Sequence, residues 1–154
     1  MQASRKQVTV HSKHATGAPI IYLPVVMGNG SEVYDRCREL DCPPFTLVAI
    51  GGLDWNRELS PWACDGTVRD AEPFGGQAAS FLDELLSQII PQVESSLPQP
   101  PIWRGIAGYS LAGLFALWAL WQTNAFDRAA SASGSLWFPH FVDRASTEPF
   151  VSNP

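Results

Sequence analysis

The sequence predicts an α/β fold, a mostly parallel sheet with helices on both faces. Three observations predict it. Short, nearly continuous apolar runs recur along the chain, as strands covered on both faces require. Between them lie segments whose apolar residues repeat at helical spacing. The two kinds alternate, strand then helix, over most of the chain, and that order builds parallel strand–helix–strand units.

Each element has its own local reason. Gln7–His11 alternates weakly and reads as an edge strand. Residues 18–26, APIIYLPVV, form the first buried strand, and MGNG breaks it. Ser31 is placed to cap a helix over residues 31–40, with Glu32 in its first turn, and CPP ends that helix. Residues 45–50, FTLVAI, are the next buried strand. Residues 53–77 read as one long polar loop, and a loop of that length in a compact domain is usually functional or disordered. From Ala78, the residues Phe81, Leu82, Leu85, Leu86, Ile89, Ile90 and Val93 keep helical spacing, and Pro91 is expected to kink the helix. Residues 103–108 form a strand, Leu111–Gln122 a buried helix, and residues 129–133 a further strand.

Composition excludes several functions. With 45% hydrophobic and 16% charged residues, the chain is globular and long enough for one sizeable core. Its net charge is −5 and its lysines and arginines are scattered, so no nucleic-acid partner is expected. The longest apolar run, residues 111–121, is too short to span a bilayer, and the N-terminus lacks the apolar core of a signal peptide. Cys37, Cys42 and Cys64 show no CxxC spacing and read as reduced thiols, which points to the cytoplasm.

The stretch carrying chemistry is GYSLAG, residues 108–113. A serine on a sharp strand-to-helix turn is the nucleophile elbow, and it needs small residues on either side. Gly108 and Ala112 satisfy that need, Ala112 standing where the strict motif has glycine. Ser110 also lies at a helix N-terminus, where backbone N–H groups favour a developing negative charge. The Leu111 N–H is one expected oxyanion donor. The second is the N–H of Asn29 in MGNG, where Gly28 lets the backbone approach a substrate closely. The alternatives are an ordinary serine helix cap and a plain glycine turn.

Three stretches then carry a resemblance: YLPVVMGNG, NRELSPW, and GYSLAGLFALW followed by FDRAASASGSLWF. Together they cover residues from about 18 to 140. The chain resembles the esterase branch of the α/β-hydrolase superfamily that includes enterochelin-type siderophore esterases and esterase D-like enzymes. The resemblance implies an ester or thioester hydrolase working through an acyl-enzyme on Ser110, without metal or cofactor. It places Arg57 at the mouth of a pocket walled by Trp55, Trp62 and Trp137. Those residues also have plainer readings, a solvated arginine and packed indoles.

The expected triad runs serine, acid, histidine along the chain. After Ser110 the one histidine is His140, and Asp143 and Glu148 follow it rather than precede it. Asp127 keeps the order, but it precedes its strand and so belongs to the rim opposite Ser110. His11 and His14 lie near the N-terminal strand. The expectation is therefore a hydrolase domain incomplete at its C-terminus, with the acid and histidine outside the chain. The strand at 129–133 would then be an open edge, available for self-association. The alternative is a non-catalytic protein that keeps the scaffold for binding.

Overall fold

The computed structural model describes residues 6–12, 17–66 and 71–151. Five strands form the main sheet: β1 (Gln7–His11), β2 (Ile20–Pro24), β3 (Thr46–Gly51), β6 (Arg104–Tyr109) and β7 (Arg128–Ala132). Their spatial order is β1-β3-β2-β6-β7. β1 runs antiparallel to β3, and every other pairing is parallel. The predicted class therefore holds. Strand ends move inward from the sequence reading, because Pro19 and Val25 bond to the neighbouring strand only at its margins.

Alternation along the strands builds two different faces. Tyr22, Val48 and Ile106 lie side by side across β2, β3 and β6 on one face. Against it pack α3 (Ala78–Glu84), α4 (Ile90–Glu94) and α5 (Leu111–Gln122), whose Phe81, Ile90, Leu114 and Phe115 join the same core together with Leu85 between α3 and α4. Nine of the twelve α5 residues are buried, so this helix is apolar all round rather than amphipathic. The other face carries Ile21, Leu23, Leu47, Ala49 and Ala107. α1 (Ser31–Glu39) lies there, with Gly30 so close to Ala49 that a Cβ on it would fall 2.6 Å away. Beside α1 an apolar groove of about 520 Å³ remains, floored by Ile21, Leu23, Leu47 and Ala107.

Two local expectations are corrected, and the expected disturbance at Pro91 takes a specific form. Ser31 does not cap α1: the N-cap is Gly30 at φ 81, and the Asn29 side chain accepts the Ser31 N–H at 3.1 Å. At Pro91 the helix is altered locally rather than ended. The turn before it, Leu85–Ile89, widens to a π-helix, which makes room for the proline ring and carries the helix through to Glu94. Residues 53–77 are not one loop. They contain the helical turn α2 (Trp55–Glu58) and a short ladder, β4 (Ala63–Cys64) paired with β5 (Phe74–Gly75).

Ser60 organises that segment. It is fully buried, its hydroxyl donates to the Asn56 carbonyl at 2.7 Å, and it accepts the Gly76 N–H at 2.8 Å. Glu58 accepts the Asp54 N–H at 2.7 Å and is ion-paired to Lys6. Among the described residues, no helix is long and apolar enough to cross a membrane.

At the N-terminal rim of the sheet a polar clamp locks β2 and β6 to α4. Arg104 grips Glu94 with two hydrogen bonds, 2.6 and 2.7 Å, and the buried Tyr22 hydroxyl donates to the same carboxylate at 3.0 Å. Burial, and then the Glu94 charge, push the Tyr22 phenol far above its ordinary value. Removing the shared acceptor strands two donors. Glu94→Ala is therefore expected to lower stability by about 2–3 kcal/mol, and Tyr22→Phe by about 1 kcal/mol, in urea unfolding.

Candidate active site

The C-terminal ends of β2, β3, β6 and β7 form one rim, where open parallel sheets bind their ligands. Ser110 stands on it between β6 and α5. Its backbone is at φ 56, ψ −119, a conformation that disfavours any side chain. It occupies the N-cap position yet makes no side-chain cap bond, so it is not an ordinary helix cap. The turn is tied from both sides: the Ser110 N–H donates to the Ala132 carbonyl at 3.0 Å. The Ser110 carbonyl accepts from the N–H groups of Gly113, Leu114 and Ser135.

Close backbone approach makes this turn possible. A Cβ on Gly108 would lie 2.2 Å from the Ala112 carbonyl carbon and 2.6 Å from the Gly113 nitrogen. A Cβ on Gly113 would lie 2.8 Å from Ser131 Oγ and 3.0 Å from the Gly134 Cα. Gly108, Gly113, Ser131 and Gly134 thus interlock beneath the elbow. The Ser131 hydroxyl is buried there with no hydrogen-bond partner among the described residues.

The Ser110 side chain is half-buried, and its Oγ lies 3.3 Å from the Oγ of Ser135, which is 3% exposed. The Leu111 side chain is buried, and its N–H opens the first turn of α5, with no acceptor bonded to it among the described residues. Asn29 is exposed on the loop after β2, the strand next to β6, and so shares the rim with Ser110. Its carbonyl accepts from His11 Nε2 at 2.7 Å, and its side chain is taken by Ser31. Gly28 sits at φ 71 with open space around its Cβ position. A depression of about 240 Å³ on this loop is lined by residues 25 and 27–33 and does not reach Ser110.

The other predicted residues divide between surface and packing. Arg57 is exposed: its stem rests on Gly75 and its guanidinium lies 3.8 Å from Asp54. Trp55 packs on the core edge. Trp62 donates to the Pro139 carbonyl at 3.1 Å and faces Phe138 at 5.6 Å between ring centres. Trp137 is 58% exposed and stands 6.1 Å from Phe74. Phe74 and Phe138 therefore join the 53–77 segment to the segment after β7.

No described histidine is bonded to the Ser110 hydroxyl. His140, at φ 64, lines an open depression with Trp62, Asp143, Arg144 and Thr147. His11 is committed to Asn29 and stacks on Tyr34 at 5.4 Å. His14 lies outside the described residues. Asp127 accepts the Arg104 N–H at 2.8 Å at the start of β6, on the opposite rim as expected. Among the described residues, no group of three or more His, Cys, Asp or Glu side chains is placed to hold a metal ion.

Sequence reasoning missed His11, Ser60 and Ser135, because each is joined to a residue 16 or more places away along the chain, Asn29, Gly76 and Ser110 respectively. Of the three, Ser60 had a signal in advance, the Ser-Pro pair inside NRELSPW.

A strained serine elbow with glycines packed beneath it is a superfamily signature, and the chain as a whole agrees with it. Residues 25–153 match the family model described as Putative esterase. The chain belongs to that family. It is 30% identical over 144 residues to the Bacillus subtilis protein titled uncharacterized protein YbbA, covering 86% of this chain and 56% of that protein. An IroE-like serine hydrolase from Shewanella oneidensis superposes with a TM-score of 0.74 at 22% identity, covering 90% of this chain and 49% of the other. The siderophore hydrolase EstA of Aspergillus nidulans gives 0.70 at 22% identity, covering 92% and 57%. The chain thus spans about half the length of these relatives.

The packing beneath the elbow separates two kinds of glycine. Gly108→Ala is expected to destabilise the fold by about 3 kcal/mol or more, because the backbone has nowhere to yield. Gly28→Ala, strained in φ but spatially free, is expected to cost about 1 kcal/mol. Thermal or urea unfolding of the two variants side by side distinguishes them.

Proposed function

We propose that this family member is built for ester hydrolysis, with Ser110 as the nucleophile on a carboxylic ester or thioester. The observation that carries the reading is the Ser110 backbone, held at positive φ at the strand-to-helix turn. In the reaction, Ser110 Oγ attacks the carbonyl carbon and its proton passes to a base. The carbonyl oxygen becomes an oxyanion, held by the N–H groups of Leu111 and Asn29. The alcohol or thiol leaves with a proton, and water releases the acyl group from Ser110. Arg57, Trp55 and Trp137 line the approach, and Gly28 gives the substrate access to the loop backbone.

We assign the base and its acid to a part of the hydrolase domain outside these 154 residues. Two facts support this: no described histidine is bonded to the Ser110 hydroxyl, His11 being held by Asn29, and this chain covers only 49–57% of the length of the relatives. The open edge of β7 is where a further strand would pair, from the same fold or from a second copy. The structural relatives named siderophore hydrolases suggest a siderophore ester as the substrate class.

A second reading, a scaffold kept for binding alone, is favoured by the contact of Ser110 with Ser135 rather than with a base. Fluorophosphonate labelling separates the two. The expected result is labelling at Ser110 once the C-terminal part of a relative is supplied, at least about 100-fold faster than without it, and none in Ser110→Ala. No labelling in either case would leave the binding reading. Turnover by the 154-residue chain alone, abolished by His140→Ala, would overturn the assignment of the base.

A further inference from the structure

The end of α1 brings two cysteines together. The Asp41 N–H donates to the Arg38 carbonyl at 3.1 Å, and the Cys42 N–H donates to the Cys37 carbonyl at 3.0 Å. Asp41 is at φ 52, the left-handed conformation. These two bonds around a left-handed residue are the Schellman ending of a helix, with Asp41 as its turning residue. That motif usually sets an apolar side chain three places before the cap against one two places after it. Here the cap is Leu40, and the two positions are Cys37 and Cys42. Pro43 and Pro44 come next and stop the helix from running on.

The side chains agree with the backbone. Both cysteines line one wall of the apolar groove beside α1. Cys37 is half-buried and Cys42 exposed. The Cys37 thiol is raised by burial first, and then by the charge and hydrogen bond of the Cys42 thiol beside it. A disulfide requires Cα atoms about 4.4–6.8 Å apart, a span consistent with direct backbone bonding between two residues. Cys64, on β4, belongs to a different part of the fold.

We propose that Cys37 and Cys42 form a redox-active dithiol, closing to an intramolecular disulfide at the C-terminus of α1 when a disulfide oxidant such as glutathione disulfide is present. Exposure sets the order of the steps. The Cys42 thiolate attacks one sulfur of the oxidant, forming a mixed disulfide and releasing one thiol. The Cys37 thiolate then attacks Cys42 Sγ and releases the second. The two cysteines are oxidised, the oxidant is reduced to two thiols, and the two cysteine protons end on those thiols. The site is independent of Ser110 and of the hydrolase reading.

The test is a tryptic map without reductant, after the native chain has been incubated with glutathione disulfide and its free thiols alkylated. Trypsin cuts at Arg38, so the bridge joins two peptides. The expected result is a Cys37–Cys42 bridge, with Cys64 recovered as an alkylated or glutathione-capped thiol. Cys37 and Cys42 recovered separately, or either one bridged to Cys64, would overturn the proposal. Asp41→Gly keeps the left-handed turn and should bridge as the native chain does. Asp41→Val opposes it and should bridge about tenfold less at the same oxidant ratio, since the fold supplies the effective concentration. Equal bridging in these two variants would overturn the assignment to the helix end.

Discussion

The close approach of Gly108 to the backbone of Ala112 and Gly113 is the constraint on which the rest of the rim depends. It lets β6 turn into α5 within one residue. That residue, Ser110, is left at positive φ with its hydroxyl facing the rim. A larger residue at 108 would push the helix away, and the Leu111 N–H would move with it. The strain at Ser110 persists because bonds from Ala132, Gly113, Leu114 and Ser135 hold the turn from several directions. The buried apolar surface of α5 anchors the helix half of the junction.

Around this fixed point, segments far apart in the chain are tied to the rim by polar and aromatic contacts. His11 on the edge strand holds the carbonyl of Asn29, so the antiparallel strand β1 helps to position the loop after β2. Ser60 ties α2 to the turn at Gly76, and Phe74 meets Phe138 at 5.2 Å, edge to face. The described parts of the segment that looks like a loop by composition, 53–66 and 71–77, are therefore held by a buried hydroxyl and a group of rings. The clamp of Tyr22, Glu94 and Arg104 does the same at the opposite rim, where no chemistry is expected.

The sheet strands and α5 were legible because their burial is written in apolar runs and helical spacing. Leu111–Gln122 begins and ends where the pattern says, and the antiparallel edge strand Gln7–His11 also holds. The elbow was legible for a steric reason: a sharp strand-to-helix turn needs small residues on either side of its serine, and Gly108, Ala112 and Gly113 supply them. The short ladder of β4 and β5 was not, since two-residue strands leave no periodic trace. Nor was the π turn at Leu85–Ile89, which is an adjustment to Pro91 and not a pattern of its own. Ser135 was hidden because only the folded chain brings the segment after β7 against Ser110. The cysteine pair was hidden because a spacing of five suits no familiar motif until the helix end is located.

The central claim is that the fold holds Ser110 in a strained backbone that a plain helix start would not need. Replacing it by glycine tests this most directly, because glycine adopts φ 56, ψ −119 without a Cβ to oppose it. Urea unfolding of Ser110→Gly should show a gain of about 1 kcal/mol over the native chain, with Ser110→Ala close to native. A loss of stability in Ser110→Gly, as expected of an ordinary helix position, would contradict the account.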